Sequence, residues 1–176
     1  LRRLKEEVFH DMPSYTFAPI YLEPSKVMAS TLAREKAISG KVESSADRAE
    51  RLSVGETVAL RRQIGLDKIA VAVEHLKDCE DEKIVVFTYH RDVANALNQA
   101  FPTDSVLYTG EQTTSQKQKS IECFVNGKAK YFVAQIEAGG TGIDGLQNVC
   151  SHAVFVELCY VPGKIDQAIG RLVRHG

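Results

Sequence analysis

Apolar positions along this chain follow two spacings, and in the second half the two alternate. Short continuous apolar runs, KIVVFT (83–88), SVLYTG (105–110), KYFVAQI (130–136) and HAVFVEL (152–158), are separated by stretches in which apolar residues recur every three or four positions. The runs have strand length. The intervening stretches have helical period: Val93, Ala94, Leu97 and Phe101 share one face of RDVANALNQAF, and Ile121, Phe124 and Val125 one face of TSQKQKSIECFV. Strands apolar along their whole length need cover on both faces, so the alternation predicts an α/β fold in three α/β/α layers around a mainly parallel sheet. The helix predicted over 66–78, with Ile69, Ala72, Val73 and Leu76 on one face, enters the same layer.

Upstream the pattern changes. Residues 25–65 are polar, mixed in charge and helix-prone, and predict a helical insertion or connector outside the main lobe, which occupies 66–176. Within 1–24, SYTFAPIYL alternates as a strand does, but Pro19 has no backbone donor and would confine that strand to a sheet edge.

Composition narrows the function classes. The chain has 176 residues, 44% hydrophobic and 26% charged, as a soluble globular domain does. A net charge of -1 removes bulk basicity as a reason for nucleic-acid binding, so any such binding must come from local charge placement. No apolar run is long enough to span a bilayer, and LRRLKEEVFH lacks a signal-peptide core, so no membrane association is expected. The four cysteines form no C-x-x-C pair and lie in or beside apolar runs, as reduced thiols of an intracellular protein do. Cys150, His152 and Cys159 lack a fourth ligand at suitable spacing, so no metal site is assigned.

Ligands of open parallel sheets collect at the carboxyl ends of the strands. There the chain places TYHRD (88–92), TGEQT (109–113), EAGGTGID (137–144) and ELCYVPG (157–163). The glycines of EAGGTGID let backbone amides approach an anion, and Asp144 offers a carboxylate to a ribose hydroxyl. No Walker G-x-x-x-x-G-K-[ST] loop exists, nor an acidic pair after a strand to hold magnesium. The closing helix QAIGRLVRHG sets Gln167, Arg171 and Arg174 within an arc of about 60°, opposite Ala168, Ile169 and Leu172. Two guanidinium groups on one helix face call for something anionic opposite. Half of a phosphate site is present.

These segments resemble, in order, the motifs of superfamily II helicases of the Swi/Snf type. IVVFTYHRDVANAL resembles motif IV and TGEQTTSQKQKSIECF the segment that follows it. AGGTGID resembles motif V, and FVELCYVPGKIDQAIGRLVRHG resembles motif VI with the strand before it, especially in the annealing-helicase (HARP-like) branch. LRRLKEEVFHDMP is similar to the segment linking the two motor lobes. Tyr160 stands where the family has Trp, Lys117 where Arg is common, and Asp144 where Asn is usual.

The resemblance implies a RecA-like second motor lobe, truncated after motif VI, whose first lobe carries the Walker motifs and binds most of the ATP and Mg2+. Residues 1–24 would be the interlobe linker and an edge strand. Arg171 and Arg174 would be arginine fingers oriented by Gln167, with Gly142 and Asp144 touching nucleotide. His90, Arg91, Thr109, Gly110, Lys117, Gly139 and Thr141 would lie along the nucleic-acid backbone. The expected partners are that first lobe and double-stranded DNA, and the expected location is the cytoplasm, nucleoid or nucleus. The lobe alone should not hydrolyse ATP. Two other classes remain: a solitary module binding nucleic acid or protein, and a dinucleotide-dependent oxidoreductase using EAGGTGID as its phosphate loop.

Overall fold

The computed structural model describes residues 15–24, 26–39, 48–81, 83–139, 143 and 145–173. Four strands, β1 (Ile84–Thr88), β2 (Ser105–Tyr108), β3 (Tyr131–Gln135) and β4 (His152–Phe155), form one sheet in the order β2-β3-β1-β4. Every pairing is parallel, with Ile84 opposite both Tyr131 and His152, and Ser105 opposite Tyr131. β1 is buried along its whole length because it has a strand on each side and helices on both faces.

Alternation of side chains across the pleat sorts the core into two layers. Val85, Phe87, Phe132 and Ala134 point to one face and pack with Phe124 of α5 (Thr114–Val125) and Ala168 of α7 (Pro162–Leu172). Ile84, Val86, Tyr131 and Val133 point to the other, against Leu76 of α3 (Ile69–Asp78) and Val93, Ala94 and Leu97 of α4 (Arg91–Ala100). Phe87, Phe124 and Phe132 are almost completely enclosed, and each contributes about 1.5–3 kcal/mol by leaving water. The three-layer α/β/α expectation is met.

Local chemistry fixes the helix starts. α5 opens on a capping box: Thr113 Oγ1 accepts from Gln116 N at 3.3 Å, and Gln116 Oε1 accepts from Thr113 N at 2.9 Å. α7 opens with Pro162 at its first position, where a missing N–H costs nothing.

Upstream of the sheet stand two helices, α1 (Lys26–Ser39) and α2 (Arg48–Asp67), which pack on each other. α2 runs to Asp67, one turn-residue short of α3 and past the boundary expected at 65/66. The edge strand expected in SYTFAPIYL does not form: residues 15–24 are in no strand, with Tyr15, Phe17, Ile20 and Tyr21 exposed. Alternation creates a strand only where a partner supplies hydrogen bonds, and Pro19 offers no donor. Downstream of β3 the chain turns at once into the single helical turn α6 (Ile136–Gly139), which takes Ile136 from the expected strand and Gly139 from the expected loop.

Candidate nucleotide and nucleic-acid interface

The carboxyl ends of β1, β2 and β3 are stitched together by side chains. Gln135, the last residue of β3, donates from Nε2 to Tyr89 O at 3.1 Å and accepts on Oε1 from Gly110 N at 3.5 Å. One amide thus joins the loops after β1 and β2. Arg91, the first residue of α4, pairs with Glu111 beyond β2, and its Nε lies 4.0 Å from Asp92 Oδ1. Half of the Arg91 side chain remains exposed.

The loop after β2 is braced from within. Gln112 Oε1 accepts from Thr109 N at 3.0 Å while its Nε2 donates to Leu107 O at 2.9 Å. Thr109 is buried by this brace and Gly110 is exposed at the turn, where an added Cβ would meet nothing within 4 Å. Lys117 of α5 holds its Nζ 5.3 Å from the centroid of the Tyr108 ring. Burial raises the Tyr108 phenol above its usual range, and the positive charge of Arg171 acts on it in the opposite sense. Lys117 and Arg171, fifty-odd residues apart in sequence, therefore share the neighbourhood of one tyrosine at the end of β2.

α7 presents the face that its periodicity predicts. Ala168 is fully buried, Gln167 is exposed, and Arg171 is half-buried in the last turn. Lys164, in the first turn, pairs with Glu137 of α6 at 2.5 Å; that bond raises the Lys164 amine above its usual range and ties α7 to the start of the glycine segment. Gly139 ends α6. Thr141, Gly142, Asp144 and Arg174 lie outside the described residues.

His90 behaves differently from its expected place on a backbone track. Its ring is turned inward, Nδ1 standing 2.6 Å from Glu157 Oε1, and its Nε2 is buried without a hydrogen-bond partner among the described residues. Sequence reading did not single out Glu157, Gln135, Gln112 or Glu111. For Glu157 a signal existed, a carboxylate closing the apolar run HAVFVEL. Among the described residues no three metal-ligating side chains converge, and no helix is long and apolar enough to cross a membrane.

The family model of the helicase conserved C-terminal domain matches residues 67–176, well over half of the chain. The chain belongs to that family. Among curated relatives, this helicase C-terminal lobe is 28% identical to the DNA repair protein RAD5 of Eremothecium gossypii over 62% of this chain and 11% of that protein. It is 29% identical to a candidate ATP-dependent RNA helicase of Acanthamoeba polyphaga mimivirus, over 66% of this chain and 22% of the other. The lobe thus spans a minor part of each relative. The solved Sulfolobus solfataricus SWI2/SNF2 ATPase C-terminal domain superposes with a TM-score of 0.55 at 16% identity, covering 76% of this chain and 68% of that one. The shared fold is the RecA-like α/β lobe.

Proposed function

We propose that this lobe is the second half of an ATP-dependent motor of the Swi/Snf type, translocating on or remodelling double-stranded DNA. Its partner would be a first RecA-like lobe that binds most of the ATP and Mg2+. Bound ATP would supply the hydrolysable γ-phosphate; the part of this chain would be to place positive charge against it. Arg171 and Arg174 would do so as fingers, with Gln167 fixing their direction and Gly142 and Asp144 meeting the nucleotide. Pre-positioned guanidinium groups of this kind raise hydrolysis rates by about 10³–10⁵.

What supports the reading is one juxtaposition: Lys117 on α5 lies against the Tyr108 ring and the charge of Arg171 on α7 reaches the same phenol, at the carboxyl end of the sheet that also carries Arg91 and Gly110. On this reading the phosphoryl-facing residue and the backbone-facing residues would share one rim. Arg91, Gly110, Lys117, Gly139 and Thr141 would contact the nucleic-acid backbone. Thr109, buried, and His90, turned inward onto Glu157, would shape that rim from behind. Contacts to phosphates are independent of sequence and sensitive to salt.

The test is Arg171→Ala in the protein together with its first lobe. ATPase stimulated by duplex DNA should fall by about 10³ or more, with the melting curve and DNA affinity close to those of the parent. Turnover at the parental rate would remove the finger role. Duplex DNA, single-stranded DNA and RNA, compared as stimulants, decide the polymer: the relatives include a DNA repair protein and a candidate RNA helicase.

A further inference from the structure

Glu157 is the one acidic or basic side chain among the buried residues described, and its burial has a specific geometry. Oε2 accepts from Tyr89 N and from His90 N, each at 2.9 Å, and Oε1 faces His90 Nδ1 at 2.6 Å. A carboxylate only accepts, so Nδ1 is the protonated ring nitrogen. Both oxygens are engaged, as a carboxylate removed from water requires. The two amides belong to the corner between β1 and α4. His90 is the N-cap residue of α4 and makes no capping bond with its own side chain; Glu157, from the end of β4, satisfies the corner's donors instead. The next residue is Arg91.

The same carboxylate is closed over by α2. A Cβ on Gly65 would overlap Glu157 Oε1 and stand 2.8 Å from its Cδ and from Val93 Cγ2. Glu157 is held by three hydrogen bonds and cannot swing aside cheaply, so only glycine lets α2 approach here. Two further ties fix that approach: Lys68 Nζ donates to Val156 O at 3.2 Å, and Arg62 pairs with Asp92 in the first turn of α4.

We infer that Glu157 is a positioning residue for nucleic-acid grip, setting the β1–α4 corner and through it Arg91, and that α2 of the upstream helical pair is the backing that holds Glu157 in place through Gly65. This rests on the motor reading, because it assigns Arg91 a phosphate contact. The segment before residue 66 is on this account part of the working rim and not a passive connector.

The experiment combines amide hydrogen exchange with ATPase kinetics on the protein with its first lobe, comparing Glu157→Ala, Glu157→Gln and Gly65→Ala. In Glu157→Ala, exchange across residues 89–92 should quicken by about tenfold, because two buried donors lose their acceptor. The KM for duplex DNA should rise by about three- to tenfold, with a smaller change in kcat. Glu157→Gln should recover most of both, since an amide oxygen can serve the two N–H groups while its NH2 meets the other tautomer of His90. Gly65→Ala should move both readouts in the direction of Glu157→Ala, although alanine is the better helix former and propensity alone predicts tightening. Parental exchange at 89–92 in both Glu157→Ala and Gly65→Ala overturns the inference whatever the ATPase does. Absence of DNA stimulation in the unsubstituted protein sinks the motor reading instead, and the exchange result still decides whether Glu157 sets the corner.

Discussion

Replacing Glu111 by Gln should strengthen binding to duplex DNA. Arg91 would have to leave Glu111 to reach a phosphate, and both partners are largely exposed, the side chains at 50% and 68%. An exposed pair of this kind is worth about 0.2–1 kcal/mol, and that cost disappears in Glu111→Gln. The substitution also removes a carboxylate that repels the incoming phosphate. At about 8 Å in water that repulsion is about 0.5 kcal/mol, cut to about 0.2 kcal/mol by physiological salt. Together the gain is about 0.4–1.2 kcal/mol, or about two- to eightfold in Kd. Fluorescence anisotropy of a labelled duplex at several salt concentrations measures it. Arg91→Ala is the control: losing one phosphate contact should lower the slope of log K against log salt by about 0.9. If Glu111→Gln leaves Kd unchanged and Arg91→Ala leaves the slope unchanged, Arg91 does not touch the backbone, and the rim is not the grip.

Two predictions concern the scaffold. Tyr131 is buried on β3 and donates its hydroxyl to Leu76 O at 3.0 Å, satisfying a carbonyl in the last turn of α3; Tyr131→Phe should cost about 1–2 kcal/mol and lower Tm by about 2–8 °C in a thermal melt, with the fold retained. At the opposite end of the sheet, the hydrogen bond from His152 to Asp81, at 2.6 Å, holds the Asp81 carboxyl below its usual range. A depressed folded-state value means that the stabilisation is fully present above about pH 4 and is lost as acid titrates the carboxylate. Both partners are substantially exposed, so Asp81→Asn should cost only a few tenths, about 0.2–0.5 kcal/mol, at neutral pH, with the difference in urea melts vanishing as the pH falls through the lowered folded-state value of Asp81.

Much of this lobe was legible in its sequence because secondary structure leaves a period that is local to each segment. The four apolar runs became the four parallel strands, and TSQKQKSIECFV became a helix over that same span. SYTFAPIYL has the period of a strand and no strand partner among the described residues, so the same kind of signal misled there. The order of motifs gave the family and pointed to the carboxyl edge of the sheet. Which residues meet at that edge was another matter. Tyr89 and Glu157 are 68 positions apart, and Arg91 and Glu111 are 20 apart. Nothing in either local stretch encodes the distance between them; it follows from the strand order β2-β3-β1-β4, which a one-dimensional pattern does not contain. Gly65 shows the limit most sharply. In sequence it is a glycine inside a helix, a mild defect by propensity. Only the packed structure makes it the one residue that lets α2 close over a buried carboxylate, because steric exclusion is a property of two surfaces and neither surface is written in the other.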